Sequence, residues 1–232
     1  MAPNTRRFHS GEQMSRKIPT TVKDQELVAQ RRAEIIDVAT RLFLEHGFHK
    51  TSIRDIARAG SFNLASLYMY VASKEDILFL VAQQLIEEKA KAMAEVKMIE
   101  DDPGASFRTA LKSYCRVVHD YRPHIRLLYR ELDVLAPDRR EIVMASLSTV
   151  TNVFENIVRQ GIDKGLFADV EPKLVALNAL FLCHLWSLHA RALRPITRDV
   201  EAFFDLQSRI ILQGLLARDV TRAKRRKRRS AP

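Results

Sequence analysis

The sequence predicts an all-α protein: a small three-helix head carrying a helix-turn-helix, followed by a larger helical body. Three observations lead there. Apolar residues recur at three- and four-residue spacings along most of the chain, and no stretch reads as sheet. Glycine and proline are few, 7 and 8 in 232 residues, and many of them punctuate the periodic segments. Hydrophobic residues make up 47% of the chain, enough to bury one or two cores.

The first 29 residues are polar and mixed in charge, with Pro3, Gly11 and Pro19, and read as a flexible arm. Arg6-Arg7-Phe8 has the look of a twin-arginine export signal, but no apolar stretch of the required length follows it. From Arg32 to His46 the stripe Ile35, Ile36, Ala39, Leu42 and Phe43 predicts the first helix, ended by Gly47. Thr51 or Ser52 is placed to cap a short second helix through Ile53, Ile56 and Ala57. Gly60-Ser61 can turn the chain, and Asn63 can cap a third helix running Leu64 to Tyr70. Ser73 followed by Asp76 marks the start of a long helix towards Met98.

Beyond it, Asp102-Pro103-Gly104 breaks the chain before a helix from Phe107 to Tyr121, and Pro123 starts another. Pro137 precedes a long helix ending near Gly165, and the last two helices span Pro172 to Arg191 and Thr197 to Ala217. The domain organisation read from this pattern is an arm at 1–29, a head at 30–76, a body at 77–218 and a basic tail at 219–232.

A short helix, a tight turn and a second short helix form a layout that a DNA major groove accepts. The second of the two would face base edges with small residues at its front. Ala65 can touch a thymine methyl and the Ser66 hydroxyl can meet several base types, while Tyr68, Tyr70 and Lys74 can reach phosphate oxygens. ATRLFLEHGFHKTSIRDIA followed by LASLYMYVASKEDIL resembles the N-terminal domain of the TetR family of bacterial regulators, closely over residues 30 to 80. That resemblance implies an all-helical homodimer that releases DNA when a small molecule enters the C-terminal domain. By position it implies that Thr51 and Arg54 face the DNA backbone, that Asn63, Leu64, Ala65 and Ser66 form the reading edge, and that Tyr68, Tyr70 and Lys74 contact phosphate, with Met69 a further DNA-binding candidate. The chain departs from the family pattern where Gly60-Ser61 stands for the usual Ala-Gly, Ala65 for Gly, and Val71-Ala72 for Phe-Pro. A serine at the turn must accept a backbone that glycine takes freely.

The net charge of +10 lies mostly in the tail, where residues 222–229 carry seven basic side chains and no acid. From Arg31 to Asp76 seven basic residues nearly cancel six acidic ones, so the head is recognised by motif and not by charge. The tail is either a solvated end or an electrostatic arm adding nonspecific phosphate contacts, and a nonspecific or architectural DNA binder is the alternative function. Wide apolar stripes on the last two helices call for a partner, and a four-helix bundle with a second copy supplies one.

The middle helices are the expected effector cavity. His119, Arg122, Arg126, Tyr129, Arg130, Trp186 and His189 are the candidate lining residues, with Tyr121 and His124 beside them. Arginines and a tryptophan among apolar helices suit an anionic, partly hydrophobic effector such as an acyl-CoA or an aromatic acid. Cys115 and Cys183 are expected to be free thiols in a reducing cytoplasm, and histidines spaced by five turn away from a shared metal. Leu174 to Leu188, the most apolar segment, falls short of a membrane span. Neither a catalytic constellation nor a cofactor motif is recognisable.

Overall fold

The computed structural model describes residues 18–197 and 199–216; the basic tail expected at 219–232 and the first part of the arm lie outside them. The described residues are helical throughout, apart from turns and one isolated bridge between Phe167 and Leu216. The helices are α1 (Gln25–His46), α2 (Ile53–Ala59), α3 (Leu64–Leu67), α4 (Lys74–Ala94), α5 (Pro103–Asp120) and α6 (Arg122–Glu131). They continue as α7 (Pro137–Ala145), α8 (Leu147–Asp163), α9 (Pro172–Leu188), α10 (Ala190–Leu193) and α11 (Val200–Leu215). The chain divides into two units, the first formed by residues up to Val81 with Asp133–Ile142, the second by Ala82–Leu132 with the remainder.

In the first unit, α1 buries Ile35, Ile36, Ala39 and Phe43 of the stripe its spacing predicts, with Leu42 half-buried, and adds Val28 a few turns earlier. The Phe43 and Phe48 rings meet at 4.8 Å between centroids, and Ile56, Leu67 and Val71 close the core. The helix starts earlier than its apolar stripe suggests. Asp24 accepts from the amides of Glu26 and Leu27, which fixes a first turn whose outer residues are polar. The described residues ahead of α1 pack on the head, for Ile18 is buried and the Arg32 guanidinium donates to the carbonyls of Ile18 (2.7 Å) and Tyr70 (3.1 Å). At the start of α4, Asp76 accepts from the amides of Ala72 and Ser73 while Ser73 Oγ accepts from the amide of Asp76, the reciprocal cap its spacing predicts. The other oxygen of Asp76 pairs with Arg139 at 2.7 Å, and that guanidinium lies 5.0 Å from the Phe79 ring, which holds segment 133–142 in this unit.

The second unit packs α9 against α8, α5 and α6, with α11 across α5 and α9. Phe107 and Phe154 meet at 5.1 Å in its core. Gly161 of α8 is needed for close approach: a Cβ there would stand 2.1 Å from the Phe167 ring. Several boundaries differ from expectation: α3 ends at Leu67, α5 begins at Pro103 and α11 begins at Val200. α4 ends at Ala94, the long helix after Pro137 is broken at Ser146, and the helix from Pro172 ends at Leu188. At Ser146 the side chain donates to the carbonyl of Val143 at 2.6 Å, a local competitor for helical pairing. Cys115 and Cys183 are buried free thiols 2.8 Å apart, and burial pushes the Cys115 thiol up, away from a reactive thiolate.

Candidate nucleic-acid interface and effector site

The candidate reading element, α2, the turn and α3, is assembled by side chains that cap and turn it. Ser52 and Asp55 cap each other at the start of α2, and Gly60 and Ser61 make the turn, Ser61 at a φ of 55°. Asn63 Oδ1 then accepts from the amides of Ala65 (2.9 Å) and Ser66 (3.3 Å). Since α3 is a single turn long, this cap organises much of it. Arg54, Asn63, Ala65, Tyr68 and Met69 are exposed, while Leu64 and Ser66 are half-buried. These residues are thus at least partly open to solvent along α2, the turn and α3.

Three residues expected to face DNA are engaged elsewhere. Thr51 is buried, and its hydroxyl donates to the carbonyl of Gly47 at 2.9 Å, so it ties α1 to α2 rather than reaching phosphate. Tyr70 is buried at the end of the reading turn, under the Arg32 clip. Lys74 Nζ donates to the carbonyls of Phe48 (2.9 Å), Thr51 (3.2 Å) and His49 (3.3 Å) and stands over the Phe48 ring. Its three N–H groups are spent on the head itself.

The body residues expected to line one effector cavity do not converge. Arg122 and Trp186 line a cleft of about 340 Å³ with Leu193 and Arg194, whereas Arg126 and His189 line a different one. Trp186 Nε1 donates to His119 Nδ1 at 3.0 Å, and its ring packs on Phe203. Arg130 pairs with Glu131 at 3.4 Å. Trp186 and His124 are buried, and Tyr129, half-exposed, turns its hydroxyl inward to meet His184 Nδ1 at 2.7 Å.

That contact opens onto a buried polar cluster. His184 Nε2 meets the Tyr114 hydroxyl at 2.6 Å, and both residues are almost wholly enclosed. Burial, reinforced by the positive charge of Lys89, pushes the His184 imidazole down to about 4, so it is neutral at pH 7. Lys89 is itself 5% exposed, with its ammonium 3.1 Å from Ser146 Oγ, and burial pushes it down to about 8. Burial also pushes the Tyr114 phenol up, so it stays protonated. None of Lys89, Tyr114, Ser146 and His184 stands out in the sequence as a ligand contact. One signal was there: Ala82, Leu85, Lys89 and Met93 repeat at helical spacing and are all buried, a lysine standing in an apolar stripe.

Comparison with known proteins places this architecture. Residues 35–81 match the family model of bacterial regulatory proteins of the tetR family, and residues 100–187 match that of the tetracyclin repressor-like C-terminal domain, together more than half of the chain. The chain belongs to the TetR family. Among TetR-family relatives, the HTH-type transcriptional regulator HbdR of Aromatoleum sp. (strain CIB) is 29% identical over 171 residues, which span 74% of this chain and 75% of that protein. A TetR-family regulator from Rhodococcus RHA1 superposes with a TM-score of 0.72 at 20% identity, covering 80% of this chain and 97% of that one. AibR in complex with isovaleryl coenzyme A and operator DNA superposes with a TM-score of 0.63 at 21% identity, covering 77% and 96%. At these identities the two structures speak for the fold.

In TetR-family terms, α1 to α3 with the start of α4 are the helix-turn-helix DNA-binding domain, and the second unit holds the C-terminal domain. No described helix is long and apolar enough to cross a membrane, and the chain is a DNA-binding transcriptional regulator.

Proposed function

We propose that this chain is a dimeric, sequence-specific repressor that a small molecule releases from a palindromic operator. The observation that carries the reading is the outward face of the α2–turn–α3 element, where Arg54, Asn63, Ala65, Tyr68 and Met69 are exposed on a capped and clipped scaffold. Small residues at the front of α3 permit close approach to base edges, and Arg54 and Tyr68 supply phosphate contacts that fix register. A single turn of helix reads few bases, so two copies acting together gain affinity. Exposed apolar residues support a second copy as partner: Leu174, Phe181 and Leu185 on α9, with Leu206 and Ile210 on α11. Half-sites then lie about 34 Å apart or at a multiple of that.

The effector is an acyl-CoA or an aromatic or aliphatic acid, taken up by the body. The AibR complex supports that class, as does a buried cation, Lys89, in the second unit. Release works through connectivity. Helix α4 belongs to the first unit up to Val81 and to the second from Ala82, and segment 133–142 leaves the second unit, is held in the first by Arg139, and returns. An effector that prefers one arrangement of the body helices therefore biases both chain segments that lead to the head.

The reading is tested by selecting bound duplexes from a random DNA pool at physiological salt. A palindromic consensus is the expected result. Equal affinity for all duplexes, rising steeply as salt is lowered, would instead identify a nonspecific binder working through the basic tail.

A further inference from the structure

The cluster in the second unit is notable for what its hydrogen bonds leave over. The Lys89 ammonium has three N–H donors, and one is taken by Ser146 Oγ, whose own proton goes to the carbonyl of Val143. No carboxylate among the described residues lies within 4.0 Å of Lys89. Two N–H groups of a cation that is 5% exposed are thus unspent. The relay behaves alike. A neutral imidazole has one donor and one acceptor nitrogen, so of Tyr114 and Tyr129 one donates to His184 and the other accepts from it. The accepting phenol keeps its own O–H.

The unit therefore holds a positive charge with two unspent N–H donors at Lys89, no acidic acceptor beside it, and one unspent phenolic O–H on the relay. A buried cation left without an anion costs several kcal/mol relative to one that is paired, a cost a fold does not maintain for packing alone. We infer that Lys89 and the Tyr114–His184–Tyr129 relay form the receptor for the carboxylate of an acidic effector, and that this effector is a free monocarboxylic acid with a hydrocarbon body. The inference rests on the proposed ligand-responsive function and narrows its effector. A carboxylate presents about four lone-pair sites, which match the two ammonium N–H groups and the phenolic O–H. Apolar residues a turn away on the same helices, Leu85 and Met93 of α4, Leu111 and Val118 of α5 and Leu180 of α9, suit a chain or ring behind the head group. Tyr129, which is half-exposed, carries the relay out to the surface of the unit. A coenzyme A thioester brings no negative charge to its acyl end and leaves Lys89 unpaired.

The full-length protein, its Lys89→Met and Tyr129→Phe variants, and a selected operator duplex test this. Hexanoate, octanoate, benzoate, phenylacetate and hexanoyl-CoA are titrated by calorimetry, and operator release is followed by fluorescence anisotropy. At least one acid is expected to bind and to weaken operator binding. Lys89→Met is expected to lose about tenfold or more in affinity for that acid while binding operator as the parent does. Tyr129→Phe, at a half-exposed site that tolerates the change, is expected to lose severalfold. Equal acid affinity in parent and both variants, binding of hexanoyl-CoA but of none of the acids, or no binding by any of the five overturns the proposal. Failure of the parent chain to select any duplex would count against the proposed function instead, and is read before any acid is added.

Discussion

At Ser61 a side chain sits where glycine is the easier residue. Its φ of 55° is the one positive value at a non-glycine among the described residues, and the left-handed region brings Cβ against the following carbonyl. Ser61→Gly relieves that contact, partly offset by the greater freedom of glycine in the unfolded chain. The expected gain is about 0.5–1 kcal/mol, or a rise in Tm of roughly 1–4 °C by scanning calorimetry. A drop in Tm would show that the serine makes up for its backbone. Lys89 stores a larger cost. Burial lowers its ammonium from 10.5 to about 8, so between those values the unfolded chain holds the proton that the folded chain has released. The penalty, on the order of 3 kcal/mol, is fully present below about pH 8 and fades as the pH rises towards 10.5. Lys89→Met is therefore expected to melt above the parent at neutral pH, with the gap narrowing as the pH approaches about 10. Melting curves across that range check it, and a gap that stays constant would rule the account out.

The short helices depend on their caps more than on their length. Asn63 caps a helix of one turn that carries the proposed reading residues, so Asn63→Ala is expected to cost about 1 kcal/mol of stability and up to tenfold in operator affinity. Asn63→Asp keeps an acceptor for the amides of Ala65 and Ser66 but brings a negative charge towards phosphate; Tm is expected to hold while operator binding falls. If both variants bind operator like the parent, the turn is not what reads DNA. Elements of this kind were legible in the sequence because cap and stripe are local. Ser52, Asn63 and the Ser73–Asp76 pair all cap where spacing places them. The extra turns of α1 were not, since residues 25–31 are mostly polar and their start is fixed by Asp24. The break at Ser146 has no proline or glycine to announce it. The least legible features join residues far apart in the chain, as Tyr114 joins His184 across seventy positions. Thr51, Tyr70 and Lys74 show the same limit: position in the motif suggests a DNA-facing Thr51, residue type suggests phosphate contacts for Tyr70 and Lys74, and only packing reveals that their partners are carbonyls and core.

Across the molecule, the Asp76–Arg139 pair joins a segment that interrupts the body sequence to the cap of α4. Arg139→Ala leaves Asp76 with its two amide partners but frees segment 133–142, with an expected cost of about 1–3 kcal/mol. Effector affinity should persist while the ratio of operator affinities with and without effector moves towards one, which paired binding titrations measure. An unchanged ratio would remove this segment from the coupling route. The exposed apolar residues of α9 and α11 give a second prediction. Leu174→Glu together with Ile210→Glu is expected to yield monomers by sedimentation, with operator affinity lowered at least about tenfold, and an intact dimer would place the interface elsewhere.

The clip that Arg32 makes on Ile18 and Tyr70, with the Thr20 hydroxyl donating to the Met69 carbonyl at 2.8 Å, also sets where this head can be cut. A chimaera that transplants the head onto another sensor and begins at the first residue of α1 would discard the strap behind the reading turn. One that begins upstream of Ile18 takes the strap along and keeps the backing of the turn that follows α3.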